Sequence, residues 1–390
     1  MRIQVKKQIY LDNACTSFPK AEAVPEAIYE YLKNSVSNIN RSSYKKANIV
    51  EEIVFDTRNL INDLFNGYGS ENVVFTKNIT ESLNFLIKGL FKDGDHILVS
   101  SIEHNAVMRP LVQMTKIGVS FDRITADNLG DMQIDSINSM IKKNTKAIIM
   151  NGASNVNGTK NPIEEVGKIC KDNNLFFILD SAQIAGYENI DMKKYNIDSV
   201  AFTGHKSLLG PQGIGGFLLT EQLAKVIEPL ISGGTGSMSD KETIPEFMPD
   251  KFEAGTMNVP GIIGLNTSIK YLNNKNIYNI KNYELELTKY FLDGLIDLEN
   301  KNKLNIIGHK DLNNRVPVIS ITTNKMDLAE LSFKLDEEYG IMTRVGLHCA
   351  PNAHKTFNTF PNGTLRFSIG HKNDKEDIDT ALLALDKLLK

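Results

Sequence analysis

The sequence predicts an α/β fold in which a large, mostly parallel, seven-stranded sheet is covered by helices and followed by a smaller α+β domain. Three observations support this prediction. Seven apolar runs rich in β-forming residues lie between residues 73 and 219, helix-like segments separate most of them, and the pattern changes after Gly255. Near-continuous apolar strands that alternate with helices are typical of parallel sheets buried on both faces.

The predicted strands of the large sheet are short apolar runs. They cover residues 73–75, 96–99, 119–121, 147–150, 175–179, 199–202 and 216–219. The segments between them include predicted helices at 80–91, 105–117 and 163–172. Seven strands within about 160 residues make one large domain, since a single domain of this class often exceeds 200 residues.

The chain beyond Gly255 predicts a second unit. A helical stretch at 261–299 precedes a strand at 316–321, a helix at 328–338 and a strand at 364–368, and the last helix has one apolar face. We therefore expect a large domain at 36–260 and a small domain at 261–390. Segment 1–35 starts no parallel unit, so we expect it to pack with the small domain.

Composition restricts the function classes. The chain has 390 residues and a formal net charge of −3, from 44 basic and 47 acidic side chains. This balance provides neither a basic surface for nucleic acid nor a polybasic membrane anchor. The apolar runs are too short to span a bilayer, and the first residues lack the apolar stretch of a secretory signal. Three dispersed cysteines form no disulfide framework, so we expect a reducing cytoplasm.

A lysine and an aspartate follow two predicted strands. Lys206 stands in AFTGHKSLLGPQGIGGF (201–217), just past one apolar run, and Asp180 directly ends another. Strand ends of open α/β sheets bind ligands, although a lone lysine is usually solvated and a lone aspartate often caps a helix. Together they indicate a pyridine cofactor, whose aldehyde the lysine holds as a Schiff base and whose ring nitrogen the aspartate pairs with. Gln183 is placed to hydrogen-bond the phenolic oxygen of that ring.

The same cofactor needs a phosphate site and a stacking partner. The helix that begins near Thr80 in FTKNITESLNFLI offers free N–H groups and a hydroxyl. An ordinary capping box around Asn78 and Glu81 explains that stretch equally simply. His104 lies at another predicted strand-to-helix junction, where it either stacks on a heteroaromatic ring or caps the helix.

A set of motifs in fixed order resembles the class V aminotransferases, and within them the cysteine desulfurases and selenocysteine lyases. The motifs are YLDNACTSFPK, FTKNITESLN, EHNAV, SNVNGT, LDSAQ, FTGHKSLLGPQGIG, FEAGTMNVPGIIGL, RVGLHCAP and TLRFS, from residue 10 to residue 368. The resemblance implies a fold-type I, pyridoxal phosphate-dependent enzyme.

The resemblance also implies roles for individual residues. It makes Lys206 the cofactor lysine, with Asp180, Gln183 and His104 around the ring and Thr80, Thr203 and His205 on the phosphate. Thr256 resembles the residue that reaches the phosphate from a second subunit, which implies a homodimer. Asn155 and Arg366 resemble the clamp for the substrate carboxylate. A guanidinium suits that task because it grips a carboxylate at two points, although a surface ion pair is the alternative for Arg366.

The three cysteines have different predicted roles. Cys170 lies on the apolar side of a predicted helix, so we expect it to pack in the core. Cys15 stands where the family usually has a small residue, and it is either an alanine-like substitute or a second thiol near the cofactor. Cys349, in RVGLHCAPNAH (344–354), resembles the persulfide-forming cysteine, and Arg344 and His348 are expected to lower its pKa. A zinc site made with His348 and His354 competes, but its spacing is unusual.

The favoured function is a pyridoxal phosphate-dependent cysteine desulfurase, which converts L-cysteine to L-alanine and passes a persulfide from Cys349 to a sulfur-acceptor protein. About 17 residues separate Cys349 from Arg366, which resembles the group with a short cysteine loop. The alternatives are a selenocysteine lyase, another class V β-lyase or aminotransferase, and a non-catalytic sulfur or selenium carrier. Tyr44, where related enzymes often carry a histidine, leaves the choice of L-cysteine or L-selenocysteine open.

Overall fold

A computed structural model describes residues 7–35, 39 and 44–390 of the chain. Its helices are α1 Val24–Asn34, α2 Lys45–Leu64, α3 Ile79–Leu90, α4 Asn105–Met114, α5 Ile137–Met140, α6 Ile163–Asp172, α7 Glu221–Val226, α8 Val259–Lys275, α9 Ile277–Asn300, α10 Leu328–Tyr339, α11 Pro351–Thr356 and α12 Lys375–Leu388. Its strands are β1 Ile9–Tyr10, β2 Val73–Thr76, β3 His96–Ser100, β4 Ser120–Ile124, β5 Thr145–Asn151, β6 Phe176–Asp180, β7 Ser199–Thr203, β8 Gly215–Leu219, β9 Asn305–Ile307, β10 Val318–Thr322, β11 Ile341–Met342, β12 Arg344–Gly346 and β13 Thr364–Ser368.

The large sheet contains all seven predicted strands, in the order β2-β8-β7-β6-β5-β3-β4. The pairs from β7 to β4 are parallel, and β8 runs antiparallel to both β7 and β2. Along β3, Ile97 and Val99 belong to one apolar core and Leu98 to another. Both faces of the sheet are therefore buried, which explains the continuous apolar runs and confirms the predicted fold class.

The second unit is a four-stranded antiparallel sheet in the order β12-β13-β10-β9. It shares an apolar core with α9, α10 and α12, and Phe291 of α9 packs edge to face against Phe367 of β13. Strand β1 pairs in parallel with β11, and Ile9 joins the same core. The first described strand therefore lies with the small unit, whereas α1 packs against α8.

The helical stretch predicted at 261–299 is two helices, separated at Asn276, whose φ is 64°. A left-handed residue breaks the helical hydrogen-bond pattern, and asparagine tolerates that conformation better than most residues. Ile262 and Leu265 of α8 lie in the core of the large sheet, whereas Phe291 and Leu295 of α9 lie in the small core. We therefore propose that the division between the two cores falls within α9, later than the predicted boundary at 261.

The sheet brings the carboxyl ends of its central strands to one edge. Asn151 of β5 pairs with Asp180 of β6, which in turn pairs with Ala201 of β7. The small unit meets this edge through β13, where Arg366 donates a hydrogen bond to the Asn155 carbonyl. None of the described helices is both long and apolar enough to cross a membrane.

Candidate active site

Lys206 and Asp180 lie at adjacent strand ends. Asp180 is 3% exposed, and burial raises the pKa of its carboxyl. Its Oδ1 accepts a hydrogen bond from the Ala182 N–H at 2.9 Å, and no donor within residues 7–35, 39 and 44–390 reaches Oδ2. Burial lowers the pKa of Lys206 to about 8, against the opposing effect of the Asp180 charge. The pair thus offers an amine that loses its proton easily and a carboxylate oxygen ready for a cationic partner.

Two buried polar atoms, one at the end of β7 and one in the turn that follows, have no hydrogen-bond partner in the described part of the chain. They are Oγ1 of Thr203, a residue only 2% exposed, and Nδ1 of His205. Burial, followed by the charges of Lys206 and Lys20, lowers the pKa of His205 to about 4, so its ring is neutral at physiological pH. A buried polar atom without a hydrogen-bond partner costs about 1–3 kcal/mol. A polar ligand that bonds to both of these neighbouring atoms would remove that cost. Both fit the predicted phosphate.

The start of α3 has the ordinary helix cap that competes with the predicted anion site. The Asn78 side chain accepts a hydrogen bond from the Glu81 N–H at 3.0 Å. The Glu81 carboxylate accepts another from the Lys77 N–H at 2.6 Å. Thr80 is exposed beside them. The carboxylate already occupies one donor of this turn, so phosphate binding by Thr80 stays a prediction.

Thr256 and Tyr44 are both exposed. Thr256 is exposed and lines a cavity with Lys77 and Glu81 at the start of α3. Its predicted contact belongs to a second subunit, so the single chain does not test it. Tyr44 directly precedes α2 and is 48% exposed.

His104 is the N-cap of α4, and its Nδ1 accepts a hydrogen bond from the Ala106 N–H at 3.0 Å. Burial, followed by the charge of Lys206, lowers the pKa of His104 to about 3. The ring is therefore neutral, with its proton on Nε2. His104 therefore caps the helix, as one interpretation expected, through the ring edge that carries Nδ1. The flat face of the ring is not used by this hydrogen bond, and its stacking on a cofactor stays a prediction.

Gln183 is 9% exposed, and its Nε2 donates a hydrogen bond to the Ala14 carbonyl at 3.2 Å. This bond ties the loop after β6 to the N-terminal segment. The contact of Gln183 with a phenolic oxygen stays a prediction.

Arg366 is a buried residue of β13, only 1% exposed, rather than the surface ion pair considered as an alternative. Its Nη1 donates to the Asn155 carbonyl at 3.0 Å, and its Nη2 donates to Asp12 Oδ1 at 2.7 Å. Its Nε and the Asn155 Oδ1 are buried and have no partner in the described ranges. The Arg366 Nε–H can donate to a carboxylate, whereas the Asn155 Oδ1 can only accept a hydrogen bond, so the carboxylate clamp stays a prediction. Asp12, in the LDNAC motif, was not among the predicted site residues.

The loop that carries Cys349 is held in a strained conformation over the same edge. His348 and Cys349 have φ angles of 46° and 57°, and a non-glycine residue in such a region costs about 1–3 kcal/mol. The Asn105 N–H donates to the Cys349 carbonyl at 2.8 Å, and the Asn155 amide donates to the His348 carbonyl at 2.7 Å. These two bonds hold the exposed thiol beside the start of α4, where His104 lies.

Arg344 and His348 have different surroundings. The Arg344 Nη2 lies 3.9 Å from Cys349 Sγ, as expected of a cation beside the thiol. His348 is 3% exposed, and burial and the charge of Arg366 lower its pKa to about 2. The prediction that His348 provides positive charge is therefore wrong, because the buried ring stays neutral.

The two histidines of the zinc alternative bind threonines. The His348 Nε2 contacts Thr364 Oγ1 at 2.9 Å, and the His354 Nδ1 contacts Thr359 Oγ1 at 2.7 Å. Within the residues that the structure describes, no three His, Cys, Asp or Glu side chains form a group able to hold a metal ion.

The other two cysteines differ sharply in location. Cys170 is 1% exposed in the core of the large sheet, as predicted. Cys15 is half-buried, and the Arg344 Nη1 donates to its Sγ at 3.4 Å. The residues that follow Cys15 anchor this segment on the His205 carbonyl, which accepts hydrogen bonds from the Ser17 N–H at 2.9 Å and from Lys20 Nζ at 2.9 Å. Cys15 therefore belongs to the site.

The chain matches the aminotransferase class-V family over residues 9–381. A probable cysteine desulfurase of Pyrococcus abyssi is 33% identical to it, over 98% of this chain and 94% of that protein. The apo structure of a cysteine desulfurase from Thermococcus onnurineus has a TM-score of 0.91 at 32% identity, over 98% of this chain and 94% of that one. An Escherichia coli cysteine desulfurase structure, with the same two coverages, has a TM-score of 0.86 at 26% identity.

Proposed function

This chain belongs to the class V aminotransferase family, and we propose that it is a pyridoxal phosphate-dependent cysteine desulfurase. The reaction converts L-cysteine to L-alanine and leaves the sulfur as a persulfide on Cys349. One observation carries the proposal. An exposed thiol, held beside Arg344, lies over the strand edge that presents Lys206 and Asp180. A nucleophilic sulfur next to an amine and a carboxylate is the set that this chemistry requires.

The residues present fit the cofactor. When bound, pyridoxal phosphate supplies an aldehyde that captures an amino group and a ring that accepts the electrons left at Cα. Lys206 would hold it through Nζ, and Asp180 would pair with the ring nitrogen through its available Oδ2. The unpartnered Thr203 Oγ1 and His205 Nδ1 would donate to the phosphate. The neutral face of His104 would cover the ring, with Gln183 beside its phenolic oxygen.

Lys206 is the proposed base that takes the proton from the substrate Cα. A base must be neutral to accept a proton, and an ordinary lysine is almost wholly charged at pH 7. Burial lowers the Lys206 pKa to about 8. At that value about one tenth of the amine is neutral at pH 7, which is sufficient for proton transfer at useful rates.

Substrate orientation is assigned to Arg366 and Asn155. The guanidinium is fixed by the Asn155 carbonyl and the Asp12 carboxylate, and its Nε stays available. We assign the substrate carboxylate to the Arg366 Nε–H, because a cationic N–H forms a strong hydrogen bond to a carboxylate. The Asn155 Oδ1 only accepts hydrogen bonds, so Asn155 would reach the carboxylate through the second hydrogen of its Nδ2, whose first is donated to the His348 carbonyl.

Cys349 is the proposed nucleophile. Its thiolate attacks the substrate sulfur, so that a new S–S bond forms while the bond between that sulfur and Cβ breaks. The electron pair of the broken bond stays with the substrate, and Cβ takes a proton to become the methyl group of alanine. Arg344 places a positive charge 3.9 Å from the attacking sulfur. The two backbone anchors fix the direction of attack, and the exposure of the thiol lets a sulfur-acceptor protein reach the persulfide. We further propose a cytoplasmic homodimer, in which Thr256 contacts the phosphate of the partner subunit.

The proposal is tested by loading the chain with pyridoxal phosphate and measuring alanine and sulfide from L-cysteine. The loaded chain should show a visible absorption band that borohydride abolishes, and Lys206→Ala should lose both the band and all turnover. The absence of the band from wild-type protein would contradict the proposal. A parallel assay with L-selenocysteine separates a desulfurase from a selenocysteine lyase, since faster turnover of the selenium compound would favour the lyase.

A further inference from the structure

Two cysteines share one guanidinium in this site. Arg344 donates from Nη1 to Cys15 Sγ at 3.4 Å and lies with Nη2 3.9 Å from Cys349 Sγ. The two thiols are separated in sequence by more than three hundred residues, so the fold alone brings them together. Both sulfurs therefore lie beside the same cation. No role for Cys15 follows from the proposed reaction, which needs one nucleophile.

Cys15 is also placed inside the site rather than beside it. Its backbone N–H donates to the Asp12 carbonyl at 3.0 Å, and the Asp12 side chain holds Arg366. The half-buried Cys15 thiol therefore lies beside Arg344 and is less exposed to solvent than the Cys349 thiol.

We propose that Cys15 is a second sulfur carrier that takes the sulfane sulfur from the Cys349 persulfide. This inference rests on the proposed desulfurase function. The Cys15 thiolate attacks the terminal sulfur of the persulfide, so a bond forms between that sulfur and Cys15 Sγ. The S–S bond to Cys349 Sγ breaks, and Cys349 leaves as a thiolate. One S–S bond replaces another, so the step needs neither oxidant nor reductant.

The shared guanidinium favours this transfer. One thiolate is consumed and another is released beside the same cation, so the charge next to Arg344 is conserved. A persulfide also extends the Cys349 side chain by an S–S bond of about 2.05 Å, so its terminal sulfur reaches farther from the backbone than Sγ does. Transfer returns Cys349 to its free form, so the site accepts a second sulfur before any acceptor protein arrives. Attack on the inner sulfur would instead release hydrosulfide and close a Cys15–Cys349 disulfide.

The test is the amount of alanine formed in a single burst, without reductant or acceptor. The cofactor-loaded chain receives excess L-cysteine, and alanine is counted per bound cofactor. We expect two alanines per wild-type chain and one in both Cys15→Ala and Cys15→Ser. Cys170→Ala, which removes a buried thiol in the large core, is the matched control and should give two. Peptide mass spectrometry after alkylation should find one added sulfur on the Cys15 peptide.

The outcomes separate the carrier from the desulfurase. If wild type and the Cys15 variants form the same amount of alanine in the burst, Cys15 is not a sulfur carrier, and the proposed desulfurase function is unaffected. A second sulfur added to the persulfide of Cys349 would give this result. A sulfur on the Cys15 peptide of Cys349→Ser would overturn the order of transfer. A Cys15–Cys349 disulfide with released hydrosulfide would overturn the carrier in favour of a redox reaction. A wild-type chain that forms no alanine would overturn the desulfurase and the carrier together.

Discussion

Asp180→Asn is the substitution that isolates the electronic role of the strand-end carboxylate. Asparagine has the same shape, and its Oδ1 still accepts the hydrogen bond that Ala182 donates at 2.9 Å. The change removes one negative charge and places an amide where Oδ2 was. It should therefore leave the fold of the loop unchanged and remove the proposed partner of the cofactor ring nitrogen.

The expected effect on turnover follows from the strength of that pairing. A hydrogen bond to a charged group contributes about 1.5–3 kcal/mol, so its loss should lower kcat by about 10- to 100-fold. The stability of the cofactor-free fold, in contrast, should not fall. The pKa of Asp180 is raised in the folded protein, so above that pKa the fold carries a buried charge that the unfolded chain solvates better. The Tm of the cofactor-free variant at neutral pH should therefore equal or exceed that of the wild type.

Two measurements check this prediction. Steady-state alanine formation at saturating cofactor gives kcat, and thermal unfolding without cofactor gives Tm. Asp198→Asn is a matched control, because burial also raises the pKa of the Asp198 carboxyl. Asp198 lies at the opposite end of the strands, where it accepts a hydrogen bond from the Phe177 N–H. A kcat for Asp180→Asn within threefold of wild type would refute the assigned role. A large fall in Tm would refute the electrostatic reasoning.

Two further predictions concern the lysine and the phosphate turn. Burial lowers the Lys206 pKa to about 8, and only the neutral amine captures an aldehyde, so the rate of cofactor capture should rise with pH through about 8. Stopped-flow absorbance gives this profile, and a midpoint near the ordinary lysine value would contradict it. Thr203→Val removes a buried hydroxyl that has no partner in the described chain, so it should weaken cofactor binding by about tenfold without lowering the Tm of the cofactor-free protein. Cofactor titration and thermal unfolding measure both quantities, and unchanged affinity would remove Thr203 from the phosphate site.

Much of this site was predictable because it consists of strand ends. Lys206 and Asp180 each follow an apolar run, and parallel strands carry such residues to one edge of the sheet. The seven strands were predictable for the same reason, since a sheet buried on both faces produces continuous apolar runs. Local sequence therefore carried enough information for the large sheet and for the position of Lys206 at its edge.

The contacts between distant segments were not predictable. The Asp12–Arg366 ion pair and the Cys15–Arg344 contact each join the first residues to the last strands, and no local pattern specifies them. The burial of a single side chain is equally absent from local sequence patterns, so the prediction of a cationic His348 is wrong. The packing of α8 on the large core depends on α1 and α2, whose positions the periodicity alone does not give.

We propose above all that Cys349 attacks the sulfur of a substrate bound beside Lys206. This attack is measured by alanine formation from L-cysteine in the cofactor-loaded Cys349→Ser variant, compared with wild type and with Cys170→Ala. Wild type and Cys170→Ala should form alanine and a persulfide, whereas Cys349→Ser should keep the cofactor absorption band and lose the turnover of L-cysteine. Full turnover of L-cysteine by Cys349→Ser would show that Cys349 is not the nucleophile.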